Sequence, residues 1–247
     1  MSVKKQRLDQ ILFNRNLAES KSKAQAMIMA GQVFVDGKSI NKSGFNINSN
    51  AVIEIKDLGP KWVSRGAYKL LTALEKNKII VRNKICIDLG SSTGGFTDVL
   101  IQSGAHKVYA VDVGTNQLHE KLKKNNKVIS LEKTNARYLK KDQFEELIDV
   151  MVCDVSFISL KKVIEPNLHL LKDKSVIIAL IKPQFESKKN ETKKGVVKDS
   201  TIHQRICNEI TEWFKTIGHT KILTIIESPI KGPKGNTEFL ITVKYQK

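Results

Sequence analysis

Short apolar runs alternate with amphipathic stretches along most of the 247-residue chain. Runs of strand length lie at 85–89, 107–111, 128–131, 150–153 and 175–181. The region after residue 155 continues the alternation, and it predicts helices at 156–171 and 201–217 and strands at 222–227 and 238–243. Strands that alternate with helices are typical of a Rossmann-like α/β fold, so we expect a doubly wound, mostly parallel sheet.

The first 59 residues have a different pattern and contain no proline. They predict two short helices, which begin near Leu8 and Lys21, and Ser20 is placed to cap the second one. A strand follows, then an Asp36–Gly37 hairpin turn, and a last strand at 51–55 closes the unit. The turn-rich stretch at 57–60 predicts a linker, which gives a small α+β domain at 1–59 and an α/β domain at 60–247.

A glycine-rich turn, D-L-G-S-S-T-G-G-F-T at 88–97, joins the predicted strand at 85–89 to a helix. Such a junction binds nucleotide-like ligands at the carboxyl end of a parallel sheet. Ser92 occupies a position where the dinucleotide fingerprint requires glycine, and the carboxylate of Asp88 would repel a pyrophosphate. Asp112 ends the next strand, where an acid suits the hydroxyls of a ribose.

This combination of glycines and acids predicts S-adenosylmethionine, which carries a ribose and an amino group but no phosphate. The alternative is that Asp88 only caps the turn and that Asp112 is a solvated strand end. The expected cofactor contacts come from the turn and from the segments after the second, third and fourth strands. They are Asp88, Gly90, Ser91, Ser92, Gly94, Gly95, Phe96, Thr97, Asp112, Val113, Asn135, Ala136 and Asp154.

The net charge of +17 and the pI of about 9.7 favour a polyanionic partner, most simply a nucleic acid. The alternative is general solubility in a lysine-rich protein. A polar, basic loop at 187–198 is longer than a connection requires, so we interpret it as a lid or an RNA-facing segment.

No apolar run approaches the roughly 18 residues that span a bilayer, and residues 1–6 do not resemble a secretion signal. Three scattered cysteines have no metal-ligand spacing and indicate reduced thiols. These features predict a cytoplasmic protein without membrane insertion or a metal site, and a monomer is our expectation for its oligomeric state.

The N-terminal pattern R-L-D-x-x-L, followed by S-x-x-x-A-x-x-x-I-x-x-G-x-V-x-V-D-G, resembles the RNA-binding domain named after ribosomal protein S4. The likeness covers nearly all of residues 5–56. It implies phosphate contacts by Arg7, Lys21, Lys23 and Lys38. Arg65, in the motif V-S-R-G, is a further expected RNA contact.

The second part of the chain resembles the FtsJ-type ribose 2′-O-methyltransferases, which carry a Lys-Asp-Lys-Glu tetrad. The matching positions are Lys69 in R-G-A-Y-K-L, Asp154 in C-D-V-S-F, Lys182 in I-K-P-Q-F-E and Glu238 in N-T-E-F. Together with the N-terminal domain, the whole chain resembles the TlyA family, also called hemolysin A. One departure is Ala67, where many relatives have a second glycine.

The resemblance implies methyl transfer from S-adenosylmethionine to a ribose 2′-hydroxyl of ribosomal RNA, with cytidine in assembled subunits as the expected target. Lys182 would be the central residue, as a base or as a donor that orients the hydroxyl, while Lys69 and Glu238 would position Lys182 and the ribose. Asp154 would hold Lys182 and border the methionine end of the cofactor. The alternatives are a non-catalytic RNA-binding or ribosome-assembly protein, a hemolysin-like cytolytic factor and a base methyltransferase.

Overall fold

The computed structural model describes residues 5–29, 31–56 and 61–247. The chain divides into two compact units, Met1–Lys61 and Trp62–Lys247. The predicted linker at 57–60, and with it the predicted domain boundary between residues 59 and 60, lies outside the described residues. No helix in the described ranges has the length and apolar character needed to cross a membrane.

The N-terminal unit combines two helices with short antiparallel strands. Its elements are β1 (Lys5–Arg7), α1 (Leu8–Asn14), α2 (Lys21–Met29), β2 (Val33–Val35), β3 (Lys38–Ser39), β4 (Asn46–Asn48) and β5 (Ile53–Ile55). One sheet has the order β3-β2-β5, and β1 pairs with β4. Ser20 caps α2 as predicted, because its Oγ accepts a hydrogen bond of 3.1 Å from the backbone N–H of Lys23. The pairing of β1 with β4 is not visible in the sequence pattern, since both strands have only three residues.

A polar contact fixes α1 to α2 beside the apolar core of this unit. Asp9 is 4% exposed and accepts hydrogen bonds from Arg7 Nη2 at 2.7 Å and from Gln25 Nε2 at 2.9 Å. The hydrogen bond from Arg7 is the main cause that lowers the pKa of Asp9 to about 2. Arg7, which we expected to contact RNA phosphates, therefore has a structural partner within its own domain.

The second unit is built on one seven-stranded sheet. Its strands are β6 (Ile85–Leu89), β7 (Lys107–Val111), β8 (Val128–Leu131), β9 (Ile148–Cys153), β10 (Leu171–Ile181), β11 (Thr220–Glu227) and β12 (Phe239–Tyr245). The order is β11-β12-β10-β9-β6-β7-β8, and only β12 runs antiparallel to its neighbours, β10 and β11. The helices are α3 (Ala67–Asn77), α4 (Gly95–Gln102), α5 (Glu120–Lys123), α6 (Lys161–Ile164), α7 (Pro183–Glu186) and α8 (Ser200–Thr216).

Both faces of this sheet are covered, which confirms the prediction of a doubly wound, mostly parallel fold. Helices α3 and α4 pack on one face, where Leu70 and Leu100 lie in one apolar cluster with Cys86 of β6. Helices α6 and α8 cover the other face, where Phe214 shares a second cluster with Ile87 of the same strand. Alternate residues of β6 thus point to opposite faces, and the strand is apolar except for Asp88 because neither face meets solvent.

The prediction of one helix at 156–171 is wrong. Helix α6 has only four residues, Lys161–Ile164, and a 3₁₀ helix continues it through Glu165–Leu170. Pro166 lies in this segment and has no backbone N–H to donate, so a long α-helix cannot pass through it. Strand β10 already begins at Leu171, four residues before the predicted start at 175.

Candidate active site

The carboxyl ends of β6, β9 and β10 meet at one edge of the sheet, because these three strands are parallel neighbours. The glycine-rich turn follows β6, Asp154 follows β9 and Lys182 follows β10. Parallel sheets place their ligand sites at this edge. Asp154 and Lys182 therefore follow adjacent parallel strands at this edge.

The four residues of the predicted tetrad form one chain of ion pairs. Glu238 Oε2 lies 2.8 Å from Lys69 Nζ, which lies 3.6 Å from Asp154 Oδ2. Asp154 Oδ1 in turn lies 2.6 Å from Lys182 Nζ. The two inner members of this chain are Lys69, which contacts both carboxylates, and Asp154, which contacts both lysines. The central role of Lys182 in the reaction stays a prediction.

These charges are almost entirely removed from solvent. Lys69 and Lys182 are each 7% exposed, and Glu238 is 0% exposed. Buried charges persist only when they are paired, and two ammonium groups balance two carboxylates here. Glu238 is fully buried and contacts Lys69 and Gln184, so it would position Lys182 and the ribose through Lys69, and this role stays a prediction.

Two cavities adjoin this chain of ion pairs. A cavity of about 450 Å³ is lined by Asp112, Asn135 and Ala136, among others. A smaller one of about 240 Å³ is lined by Lys69, Lys182 and residues of the glycine-rich turn. The two share Gly90, Ser92, Asp154 and Ser156 in their walls. A molecule with a bulky end and a reactive end can therefore occupy the larger cavity and present its reactive end to the lysines.

Two glycines of the turn are required for close packing. Gly90 has a φ of +83°, and a Cβ there would lie 2.9 Å from the carbonyl oxygen of Asp154. Gly94 has a φ of +95°, and a Cβ there would lie 2.7 Å from Leu118 Cδ1 and closer still to Leu122. Gly94 thus faces an apolar cluster and lines neither cavity, and its contact with the cofactor stays a prediction.

Asp88 is held by the first turn of α4. Its Oδ2 accepts hydrogen bonds from the backbone N–H of Thr97 at 3.0 Å and from the Thr97 hydroxyl at 2.7 Å. Thr97 is 0% exposed and lines neither cavity, so it orients Asp88, and its own contact with the cofactor stays a prediction. Burial raises the pKa of Asp88 to about 7, although the hydrogen bonds from Thr97 oppose this rise. The other oxygen, Oδ1, is buried without a hydrogen-bond partner, and Asp88 lines the smaller cavity.

Asp112 supports the turn from the neighbouring strand. It accepts backbone hydrogen bonds from Ser92 at 2.8 Å and from Gly114 at 2.7 Å, one on each oxygen. Each carboxylate oxygen has a second lone pair, and Asp112 lines the larger cavity, so it retains acceptor capacity. Across this cavity, Asn135 Oδ1 accepts a hydrogen bond of 3.1 Å from Arg137 N. That bond fixes the short helix that carries Ala136.

The other expected cofactor contacts divide between the two cavities. Val113 lines the larger cavity and is 68% exposed, whereas Ser91, Gly95 and Phe96 line the smaller one. The structure therefore assembles most of the sequence-predicted site at one edge of the sheet.

Comparisons with known proteins identify the family of this chain. The model of the FtsJ-like methyltransferase family matches residues 62–245, and the S4 domain matches residues 6–53. The chain belongs to the FtsJ-like methyltransferase family and carries an S4 domain.

Similar proteins share both parts of the chain. Hemolysin A of Brachyspira hyodysenteriae is 42% identical over 236 residues, which are 95% of this chain and 98% of the relative. The 16S/23S rRNA (cytidine-2′-O)-methyltransferase TlyA of Mycobacterium tuberculosis is 37% identical over 99% of this chain and 91% of its own length. A solved structure named as a hemolysin from Streptococcus thermophilus has a TM-score of 0.73 and 37% identity, and the match covers 100% of this chain and 90% of that one. The expected relationship to the TlyA and hemolysin A family is confirmed.

The residues expected to bind RNA lie in two kinds of environment. Lys21, Lys23, Lys38 and Arg65 are exposed, and none forms an ion pair with another described residue. Arg7 is bound to Asp9. RNA contact by these five residues stays a prediction.

Sequence reasoning missed an aromatic side chain of this FtsJ-like site. Phe157 is 90% exposed, lines the larger cavity and has a φ of +64°. Its ring centroid lies 4.9 Å from that of Phe185 in α7. A non-glycine residue in the left-handed region is uncommon and often marks a functional segment. The signal in the sequence was the phenylalanine of C-D-V-S-F, three residues after Asp154.

Proposed function

We propose that this protein transfers a methyl group from S-adenosylmethionine to a ribose 2′-hydroxyl of ribosomal RNA, with cytidine in assembled subunits as the target. The observation that carries the proposal is the buried Glu238–Lys69–Asp154–Lys182 chain at the junction of two cavities. The named activity of the M. tuberculosis relative supports the same reaction.

The residues of the larger cavity fit S-adenosylmethionine. Asp112 would accept hydrogen bonds from the ribose hydroxyls, and Asn135 and Ala136 would border the adenine. The free oxygen of Asp88 and the carboxylate of Asp154 lie where a positively charged amino group would be stabilised. When bound, the cofactor supplies an electrophilic methyl group.

Lys182 would act on the hydroxyl. Its Nζ lies 2.6 Å from Asp154 Oδ1 and donates a hydrogen bond of 3.0 Å to Ser156 Oγ. An ammonium has three donors, so one remains for the ribose oxygen. In this state Lys182 orients the hydroxyl. A neutral Lys182 would instead direct the lone pair of Nζ at the same hydroxyl and accept its proton.

Asp154 and Lys69 keep this nitrogen in place. Because both carboxylate oxygens of Asp154 face a lysine, rotation of the carboxylate would break one of the two pairs. Methyl transfer depends on aligning oxygen, carbon and sulfur, so a fixed Lys182 is the main requirement for the reaction.

The RNA would be bound by exposed groups of both units. The S4 domain would supply Lys21, Lys23 and Lys38 for phosphates, and Arg65 would add a further contact in the catalytic unit. The exposed ring of Phe157 offers a face on which an unstacked base could rest. A ribosomal RNA substrate implies activity in the cytoplasm.

The test is to incubate the purified protein with radiolabelled S-adenosylmethionine and ribosomal subunits that lack the modification, and then to map the labelled nucleoside. We expect label on the 2′-oxygen of a cytidine, and no label with the Lys182→Ala variant. Label on a base would identify a base methyltransferase. Cofactor binding without any transfer to either subunit would support the non-catalytic alternative.

A further inference from the structure

Glu238 is the fully buried terminal member of the ion-pair chain. Its Oε2 is 2.8 Å from Lys69 Nζ, and its Oε1 accepts a hydrogen bond of 3.3 Å from Gln184 Nε2. The side chain is fully buried, so its position is set by the protein atoms around it. Any displacement of this carboxylate displaces Lys69 as well, and Lys69 contacts Asp154.

Gly232 packs directly against this carboxylate. A Cβ at Gly232 would lie 2.5 Å from Glu238 Cδ and closer still to Oε1. The backbone of Gly232 has φ −74° and ψ −174°, an extended conformation that any residue adopts. The glycine is therefore required for space and not for backbone conformation.

Hydrogen bonds hold both Gly232 and Glu238 in place. Gly232 belongs to a loop closed by backbone hydrogen bonds, from Ser228 N to Glu238 O at 2.8 Å and from Gly232 N to Asn236 O at 2.9 Å. The Asn236 side chain adds bonds of 3.0 Å to the carbonyl oxygens of Pro233 and Gly195. On the other side, Glu238 is held by Lys69 and Gln184. A methyl group at position 232 must therefore break one of these sets of contacts.

We propose that Gly232 is a positioning residue for the tetrad. Its missing side chain lets the Glu238 carboxylate sit beneath Lys69, and this contact fixes Lys182 through Asp154. The inference rests on the proposed function, because it assigns the role through the reaction of the tetrad.

The test is a double-mutant cycle between Gly232→Ala and Glu238→Asp. We expect Gly232→Ala to lower the single-turnover rate of methyl transfer at least about tenfold, because a displaced reacting group is costly in rate. The cofactor dissociation constant should stay within about twofold, since no residue of the larger cavity touches Gly232. Aspartate is one methylene shorter and leaves room for the methyl group, so the penalty of the alanine should shrink at least about threefold in the Glu238→Asp background.

Gly44→Ala is the matched control, because its Cβ would meet Arg7 Nη1 at an ordinary 3.4 Å, and its rate should equal that of the wild type. Wild-type activity in Gly232→Ala, or an equal penalty in both Glu238 backgrounds, overturns the inference. If the alanine prevents folding, the same cycle is measured in thermal unfolding midpoints, where Glu238→Asp should restore the folded state. A wild-type protein that transfers no methyl group contradicts the proposed function alone, because the unfolding cycle still tests the contact.

Discussion

The lysines of the two units have opposite surroundings. Lys69 and Lys182 are buried and each contacts at least one carboxylate, whereas Lys21, Lys23 and Lys38 are exposed and form no ion pair within the described residues. A buried, paired lysine acts through the position of one nitrogen atom. An exposed lysine acts mainly through its charge, so arginine can replace it there but not in the tetrad.

The buried acids of the two units differ as well, but here the acid of the N-terminal unit is the paired one. Asp9 accepts hydrogen bonds from Arg7, and its pKa is lowered to about 2. No cation among the described residues forms an ion pair with Asp88, and burial raises its pKa to about 7. The first acid stabilises a small domain, whereas the second is kept in an unfavourable environment beside a cavity, which is common in functional sites.

The largest effect is expected for Lys182. Lys182→Ala should lower the single-turnover rate of methyl transfer by about 10²–10⁴-fold, because it removes the group that faces the ribose hydroxyl. Lys182→Arg should lower the rate as well, since a guanidinium cannot take the position of the lysine Nζ. Cofactor affinity measured by calorimetry should be unchanged in both. As a control, Lys21→Ala should react at the wild-type rate when RNA is saturating. A Lys182→Arg enzyme with a near-normal rate would show that only charge matters here.

The next effect concerns Asp88 and the pH dependence of stability. Because its folded pKa is raised, the folded carboxyl resists ionisation, and wild-type stability should fall as the pH rises from about 4 to about 7. Asp88→Asn removes this cost, so its stability relative to the wild type should increase across that window by up to about 4 kcal/mol. Urea unfolding followed by tryptophan fluorescence measures it, because Trp62 and Trp213 both lie in the catalytic unit.

Asp9→Asn is the matched variant, and its effect on stability should have the opposite sign from that of Asp88→Asn. Its folded pKa is lowered, so the stabilisation is present above about pH 4 and is lost as the pH falls through about 2. The asparagine variant should be less stable than the wild type at neutral pH and equal to it at the acid limit. Circular dichroism is the suitable probe, since the N-terminal unit has no tryptophan. If the stability of both variants, relative to the wild type, changed with pH in the same direction, the proposed difference between Asp9 and Asp88 would be wrong.

A smaller effect is expected at Asp112. Asp112→Ala removes acceptors for the ribose hydroxyls and should weaken S-adenosylmethionine binding by about 10–100-fold, the range for hydrogen bonds to a charged group. The exposed Asp142→Ala is the control and should bind normally in calorimetry. Unchanged affinity in Asp112→Ala would show that this acid only holds the turn, through its hydrogen bonds from Ser92 and Gly114.

The smallest effects are expected for the lysines of the S4 domain. Lys21→Ala and Lys23→Ala together should weaken binding to ribosomal subunits severalfold. They should also reduce the slope of log affinity against log salt by about 1 for each of the two lysines that binds a phosphate. Replacing both residues by arginine should preserve affinity. Filter binding at several salt concentrations measures both quantities. An arginine variant as weak as the alanine variant would show that these lysines act through position, as the buried pair does.

The pattern of apolar positions by itself determined the strand–helix alternation and the edge where the site lies. Strand length and apolar periodicity are local properties, so the strands β6 to β9 were predicted to within two residues at each end. The helix predicted at 156–171 failed because the pattern gave too little weight to Pro166. The members of the tetrad came from family resemblance, since single charged residues at strand ends carry no such signal.

Only the tertiary structure decided which charges meet and which are buried. Lys69 and Glu238 are 169 residues apart in the chain, and their contact depends on the place of β12 beside β10 in the sheet. The same packing leaves Glu238, Thr97 and Gly94 outside the linings of both cavities. It also brought Gly232 against a carboxylate, although its backbone angles require no glycine. Long-range ion pairs and close contacts arise when distant elements pack together, and no local pattern of residue types records that arrangement.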